Sequence, residues 1–204
     1  VIACNIQNFG VETPRINASP IAVEVGRGEP AEAVTVRDVT IRDCECIHTG
    51  VGVNVRAMGP GNKLENVTVQ RLTVRDNADT PWSYVGLFMG SVHHGLFEGI
   101  CLDNCAPHWK PTGTATVHHT RSHDITFRHS CIANTADADC HDMGGWDFEH
   151  GGDGCLFERV AFINNAGPAI EYLRTPEDTA THVEIRDCTF IHNDWNRWGG
   201  GGVL

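Results

Sequence analysis

A pattern of apolar residues returns about every thirty positions along this chain of 204 residues, and no other feature narrows its choice of fold as far. Val34 to Cys44 reads VTVRDVTIRDC and Val67 to Asn77 reads VTVQRLTVRDN, with Arg, Thr and Asp in step. GLFEGICLDNC from Gly95, ITFRHSCIANT from Ile125, CLFERVAFINN from Cys155 and VEIRDCTFIHN from Val183 follow the same scheme. Their starts lie 33, 28, 30, 30 and 28 residues apart, and ACNIQN from Ala3 is a weaker copy.

Within a unit the first, third, sixth and eighth positions are apolar, as in Val67, Val69, Leu72 and Val74. At roughly 100° per residue these would scatter around a helix, so a helix is excluded. As strands they form two short alternating stretches joined by a two-residue offset, a corner after which the same face still points inward. Asp43, Asp76, Asn104, Asn134 and Asn164 stand at the next bend, where a short amide or carboxylate tolerates left-handed backbone. A third alternating stretch completes each unit: IAVEV from Ile21, GVNVR from Gly52, GLFMG from Gly86, TATVHH from Thr114, WDFEH from Trp146 and AIEYL from Ala169. Three strands per repeat predict an all-β solenoid of about seven coils, forming one domain over residues 1–204.

This arrangement resembles the right-handed parallel β-helix repeat proteins, the superfamily that contains pectate lyases and several glycoside hydrolases. More narrowly, GGWDFEHGGDGCLFERVAFINNAGPAIEY is similar to the Gly-Trp, Glu, Gly-Gly, Asn-Asn-x-Gly-Pro succession of bacterial, carbohydrate-associated β-helix repeat proteins. The resemblance covers nearly the whole chain and implies right-handed winding, a polysaccharide or oligosaccharide partner, and a secreted or cell-surface place in a bacterium. It assigns no catalytic residue, because the pectate lyase calcium-and-arginine signature is not placed in this sequence, and one scaffold hosts many activities.

The charge balance agrees. Fifteen Lys and Arg against 26 Asp and Glu give a net charge of −11, which disfavours nucleic acid and anionic membrane surfaces as partners. No apolar run reaches the length of about 18 residues that a membrane helix needs. The nine cysteines are odd in number and include no C-x-x-C pair, so at least one thiol is unpaired within a monomer. Coils stack about 4.8 Å apart, so residues sharing a repeat position form columns. Cys101 and Cys131 share one such outward position in successive units; Cys44 and Cys105 share another two coils apart, too far for a bond. Cys4, Cys155 and Cys188 fall on inward positions, and most of the cysteines read as small core hydrophobes.

The third stretch departs most from the repeat, and there chemistry is expected. Aligning Val23, Val53, Val117, Phe148 and Ile170 as one inward column makes Glu24, Asn54, His118, Glu149 and Glu171 its outward neighbours. Glu149 and Glu171, one coil apart, then form a carboxylate pair at about 5 Å, the separation of retaining glycosidases, and His118 adds an acid or base. Trp146, Asp147, His150, Tyr172 and Arg174 flank them and suit stacking on sugar rings or binding hydroxyl and carboxylate groups. Acids on a solvated strand are otherwise mere solvation. The loop bearing Asp137, Asp139, His141 and Asp142 lacks EF-hand spacing, so no metal ligand or cofactor is assigned, calcium being the ion its oxygens would suit. Adjacent histidines at His93/His94 and His118/His119 point to opposite strand faces, and HExxH, nucleophile-elbow and phosphate-loop motifs are absent.

These readings converge on a carbohydrate-active enzyme, a glycoside hydrolase or polysaccharide lyase working in a surface groove. Carboxylates favour hydrolysis; a lyase would lean on His118 and Arg174, since Lys63 and Lys110 are the only lysines. The rival is a noncatalytic β-helix that binds glycan or acts as a spacer. Because the chain starts within a motif at Val1 and stops as another strand begins, it is expected to be a segment of a longer protein.

Overall fold

The computed structural model describes residues 2–7, 19–26, 33–77, 85–105, 114–136, 142–172 and 182–195. Its strands are β1 (Ile2–Gln7), β2 (Ile21–Val25), β3 (Thr35–Arg37), β4 (Thr40–Ile47), β5 (Val53–Ala57), β6 (Lys63–Arg75) and β7 (Leu87–Gly90). There follow β8 (Val92–Asp103), β9 (Thr114–Ala133), β10 (Asp142–Gly151), β11 (Cys155–Ile163), β12 (Ile170–Tyr172), β13 (Val183–Arg186) and β14 (Thr189–Ile191). No helix occurs among the described residues. Each pairing is parallel, and each strand meets its counterpart from the next repeat: β1, β4, β6, β8, β9, β11 along one wall, and β2, β5, β7, β9, β10, β12 along the other. The chain is an all-β parallel solenoid.

It makes about five turns rather than the seven expected from the repeat count. Among the described residues the outermost motif copies are paired on one side: β1 with β4, and the two strands β13 and β14 of the last copy with β11.

The four-point apolar pattern works as read. Val67, Val69, Leu72 and Val74 are buried, as are Phe97, Ile100 and Leu102 above them and Phe157, Val160 and Phe162 further on. Burying each such side chain is worth about 1.5–3 kcal/mol, so the column sum dominates the stability. Corners between the strands are left-handed, at Arg71 (φ 50°), Gly99 (φ 65°), His129 (φ 49°) and Arg159 (φ 53°), then at Asp76 (φ 58°), Asn104 (φ 49°), Asn134 (φ 55°) and Asn164 (φ 55°). Left-handed backbone costs a non-glycine residue roughly 1–2 kcal/mol. Stacked corner side chains offset part of that cost by bonding to one another, Asn164 donating to Asn134 at 2.8 Å and Asn104 to Asp76 at 3.2 Å.

One register differs from the sequence alignment. Ile41 pairs with Val69 and Cys44 with Leu72, whereas the motif comparison had set Val36 against Val69. The corners explain the slip of five residues: Asp38 stacks under Asn66 and Asp43 under Arg71, each 28 residues on, so the first interval is 28 rather than 33. VTVRDVTIRDCECIH contains the apolar pattern twice, offset by one corner, and either copy satisfies it. Consequently Cys44 and Cys105 do not share a column.

Cys101 and Cys131 do, as register partners on the outer surface of β8 and β9. Cys44, Cys105 and Cys155 are buried, and burial pushes the Cys155 thiol up to about 12. In the native protein a small maleimide is therefore expected to label Cys101 and Cys131, leaving these three until denaturant is added. Peptide mapping by mass spectrometry reads this directly, and native labelling of Cys155 at a rate like that of Cys101 would contradict the packing.

Candidate active site

The second wall carries the candidate site. Its inward column runs Ile21, Val53, Leu87, Val117, Trp146, Ile170. The outward residue that follows each is Ala22, Asn54, Phe88, His118, Asp147 and Glu171, in register from strand to strand. Trp146, not Phe148, thus holds the column position beside Val117, and Asp147 rather than Glu149 stands between His118 and Glu171.

A bulge then interrupts β10. Phe148 pairs with His119 and His150 with Thr120, so Glu149 is the extra residue. A bulge of this kind re-aims side chains, and here Glu149 and His150 both remain partly exposed. One ligand-type atom from each of His118, Asp147 and Glu149 lies within 4.8 Å of the others, and His118 Nδ1 sits 3.7 Å from Asp147 Oδ2. The structure therefore brings His118, Glu149 and Glu171 into one neighbourhood, with Asp147 as its centre.

Burial sets the electrostatics. Asp147 is 2% exposed and Glu171 9%, and one oxygen of each, Asp147 Oδ1 and Glu171 Oε2, has no hydrogen-bond partner. Loss of water pushes Asp147 up to about 8, with Glu149, Glu171 and Asp142 adding repulsion. The same causes, burial first and then the charges of Asp142 and Glu149, raise Glu171 to about 7. His118 is lowered to about 4, mainly by desolvation, with Arg56 and His150 contributing, so its imidazole is neutral at pH 7.

The column continues towards β2 as a ladder of contacts. Phe88 stacks on His118 at 4.6 Å with planes 25° apart, the Arg56 guanidinium lies 5.0 Å over Phe88, and Arg56 donates to Glu24 at 2.9 Å. Gly90 keeps this face low, since a Cβ there would come within 3.0 Å of Arg56 Cβ. Beside it a shallow pocket of about 220 Å³ is lined by Arg56, Phe88, Gly90, Thr120 and Arg121. It shares Arg121 with a pocket of about 430 Å³ that also contains Lys63, His93 and His123. Neither includes Asp147; together they form a groove that begins at Arg56 and Phe88, on the strands preceding the one that bears His118.

Of the residues expected to line sugar subsites, Trp146 lies inside the core and Tyr172 stays partly exposed beside Glu171. Trp146 is fully buried, packed edge-on against Phe127 and Phe157 at 4.9 and 4.8 Å. The Tyr172 ring packs on Phe148, and its hydroxyl donates to the Gly151 carbonyl at 2.9 Å, which ties it to the strand. His150 is partly exposed at the site's edge. Arg174 lies outside the described residues, as do Asp137, Asp139 and His141. Phe88 and Arg56 are the groove residues that sequence reading missed; their signal was the outward position following Leu87 and Val55, readable once the column is in register.

The chain matches no protein-family model, no curated protein and no solved structure.

Proposed function

We propose that this chain is a right-handed parallel β-helix of the carbohydrate-active kind, secreted or cell-surface in a bacterium, which hydrolyses a polysaccharide laid in the groove beside Arg56 and Phe88. The observation that carries the reading is the adjacency of two buried, incompletely bonded carboxyl groups, Asp147 and Glu171, to His118 and the partly exposed Glu149. Such a group can both give and take a proton at one point on a surface open to a long substrate.

In the proposed step Glu171 acts as general acid. Its proton passes to the glycosidic oxygen as the bond from that oxygen to the anomeric carbon breaks. A water oxygen bonds to the same carbon, and its proton passes to the His118–Asp147–Glu149 group. A carboxyl raised to about 7 still holds a proton in half the molecules at neutral pH, which suits the donor's part. The sugar-facing group is the Arg56 guanidinium, supported by Phe88, whose ring faces are covered by Arg56 and His118. Asp147, not Glu149, shares the Glu171 column, and direct attack by water is the simpler course.

The test is hydrolysis of a panel of plant, algal and bacterial glycans. Glu171→Gln should lower the rate about a hundredfold or more, because general acid catalysis contributes at least that. Its fold should survive, since Gln keeps the shape. Unchanged rates in Glu171→Gln would move the acid elsewhere. A wild-type chain that binds glycans without cleaving them would favour the binding reading, and one that neither binds nor cleaves would favour a spacer.

A further inference from the structure

We propose that His118, Asp147 and Glu149 together hold one divalent first-row transition cation on the outer face of β9 and β10. Three observations converge on it. The donors come from two adjacent strands in register plus a bulge, so their spacing is fixed by the sheet rather than by a loop. Two ligands each about 2.1 Å from an ion can be at most ~4.2 Å apart. The 3.7 Å between His118 Nδ1 and Asp147 Oδ2 already meets that limit. Glu149, within 4.8 Å of both and partly exposed, closes the remainder by a side-chain shift of less than about 1 Å.

The second observation is independent of the spacing. Asp147 is 98% removed from solvent, yet its Oδ1 has no donor. A buried carboxylate oxygen without a partner is costly, and native proteins rarely leave one so. A cation held by both Asp147 oxygens would supply the missing partner. Among the described residues no side chain does so; Arg56, whose charge bears on His118, is engaged by Glu24.

The donor set chooses the metal. One imidazole nitrogen and two carboxylate oxygens suit zinc, manganese or iron, whereas calcium wants six to eight oxygens and no nitrogen. Phe88, stacked on His118, holds the imidazole plane, the kind of outer contact that fixes a ligand's orientation. Glu171, one coil on and outside the set, stays available as the acid. For its use, though not for its binding, the cation rests on the hydrolytic reading: it would lower the pKa of a bound water, which would lose its proton to solvent before attacking, in place of proton uptake by the three side chains.

Binding is tested without any glycan. The purified chain is stripped with EDTA, dialysed, and titrated with Zn²⁺ by calorimetry, with Co²⁺ followed by visible absorption. One equivalent should bind, Co²⁺ should develop a d–d band from a nitrogen–oxygen site, and His118→Gln, Asp147→Asn and Glu149→Gln should each weaken Zn²⁺ at least tenfold. Circular dichroism checks folding, and Glu149→Gln, at a partly exposed bulge, keeps the test decisive should either other variant unfold. Absence of stoichiometric binding, full affinity in His118→Gln or Glu149→Gln, or tighter binding of Ca²⁺ than Zn²⁺ would overturn the proposal. Glycan cleavage that persists undiminished in EDTA would overturn the cation's use in the reaction while leaving the hydrolytic reading intact. Stoichiometric Zn²⁺ binding by a chain inert on every glycan would uphold the site and defeat the hydrolysis.

Discussion

Trp146→Ala is expected to destabilise the chain by about 3–5 kcal/mol, the usual cost of emptying a large aromatic site in a packed core. The side chain is wholly buried among Phe127, Phe148 and Phe157, with His119 at 5.7 Å, so the residual cavity has rigid aromatic walls that cannot collapse. Trp146→Phe should recover more than half of the loss, because it refills most of the volume. Urea unfolding followed by far-ultraviolet circular dichroism measures both. A tryptophan used as a sugar platform would behave oppositely, Trp146→Ala leaving the unfolding midpoint in place and weakening only glycan binding.

That contrast also marks where the sequence can and cannot be read. Apolar positions such as Val67, Val69, Leu72 and Val74 were legible because a two-residue strand period and a thirty-residue repeat constrain them together. The bends at Asp76, Asn104, Asn134 and Asn164 were legible because few residues accept left-handed backbone, and all four are found there. Register was less secure. At Val34 the corner spacing of five residues lets the pattern overlay itself, and at β10 both Trp146 and Phe148 are large, apolar and two residues apart, so either fits the inward column. Choosing Phe148 moved the outward neighbour from Asp147 to Glu149 and placed Trp146 one layer too far out along the strand. His118, Glu149 and Glu171 were nevertheless named, because a bulge returns Glu149 to the same neighbourhood. A bulge at Glu149 needs no glycine of its own, and Gly151, at the next register shift, reads from the sequence as a turn. Phe88 and Arg56 were missed because function was sought among acids and histidines, whereas the groove beside them is built from a ring and a guanidinium.

Asp147→Asn should make the metal-free protein more stable at pH 7 by about 2–4 kcal/mol while removing its place in the site. The sign follows from linkage. The Asp147 carboxyl is raised from 3.8 to about 8 in the folded chain, so between those values the folded state keeps a proton that the unfolded state has released. Stability therefore falls as pH rises from about 4 and levels off above about 8; the three pH units between the unfolded value and pH 7 correspond to about 4 kcal/mol at 1.36 kcal/mol each. Glu171, raised to about 7, acts in the same direction. Fully buried His119, lowered to about 3, acts in the opposite one: its contribution is complete above the unfolded value of 6.5 and is lost as pH falls towards 3. Asparagine keeps the shape of Asp147 and carries no charge to desolvate. Its advantage over the wild type should thus grow with pH to a plateau above about 8 and vanish by pH 4, near the unfolded value, and His119 cancels from the comparison because both proteins contain it. Urea midpoints at pH 4 and pH 7 in EDTA decide the matter. An advantage equal at the two pH values would mean a packing effect, and a loss at pH 7 would mean that Asp147 is ionised and satisfied in the folded chain. The predicted gain has the form expected of a functional group held in place against its own cost: a carboxyl kept where it weakens the fold is kept for something other than the fold.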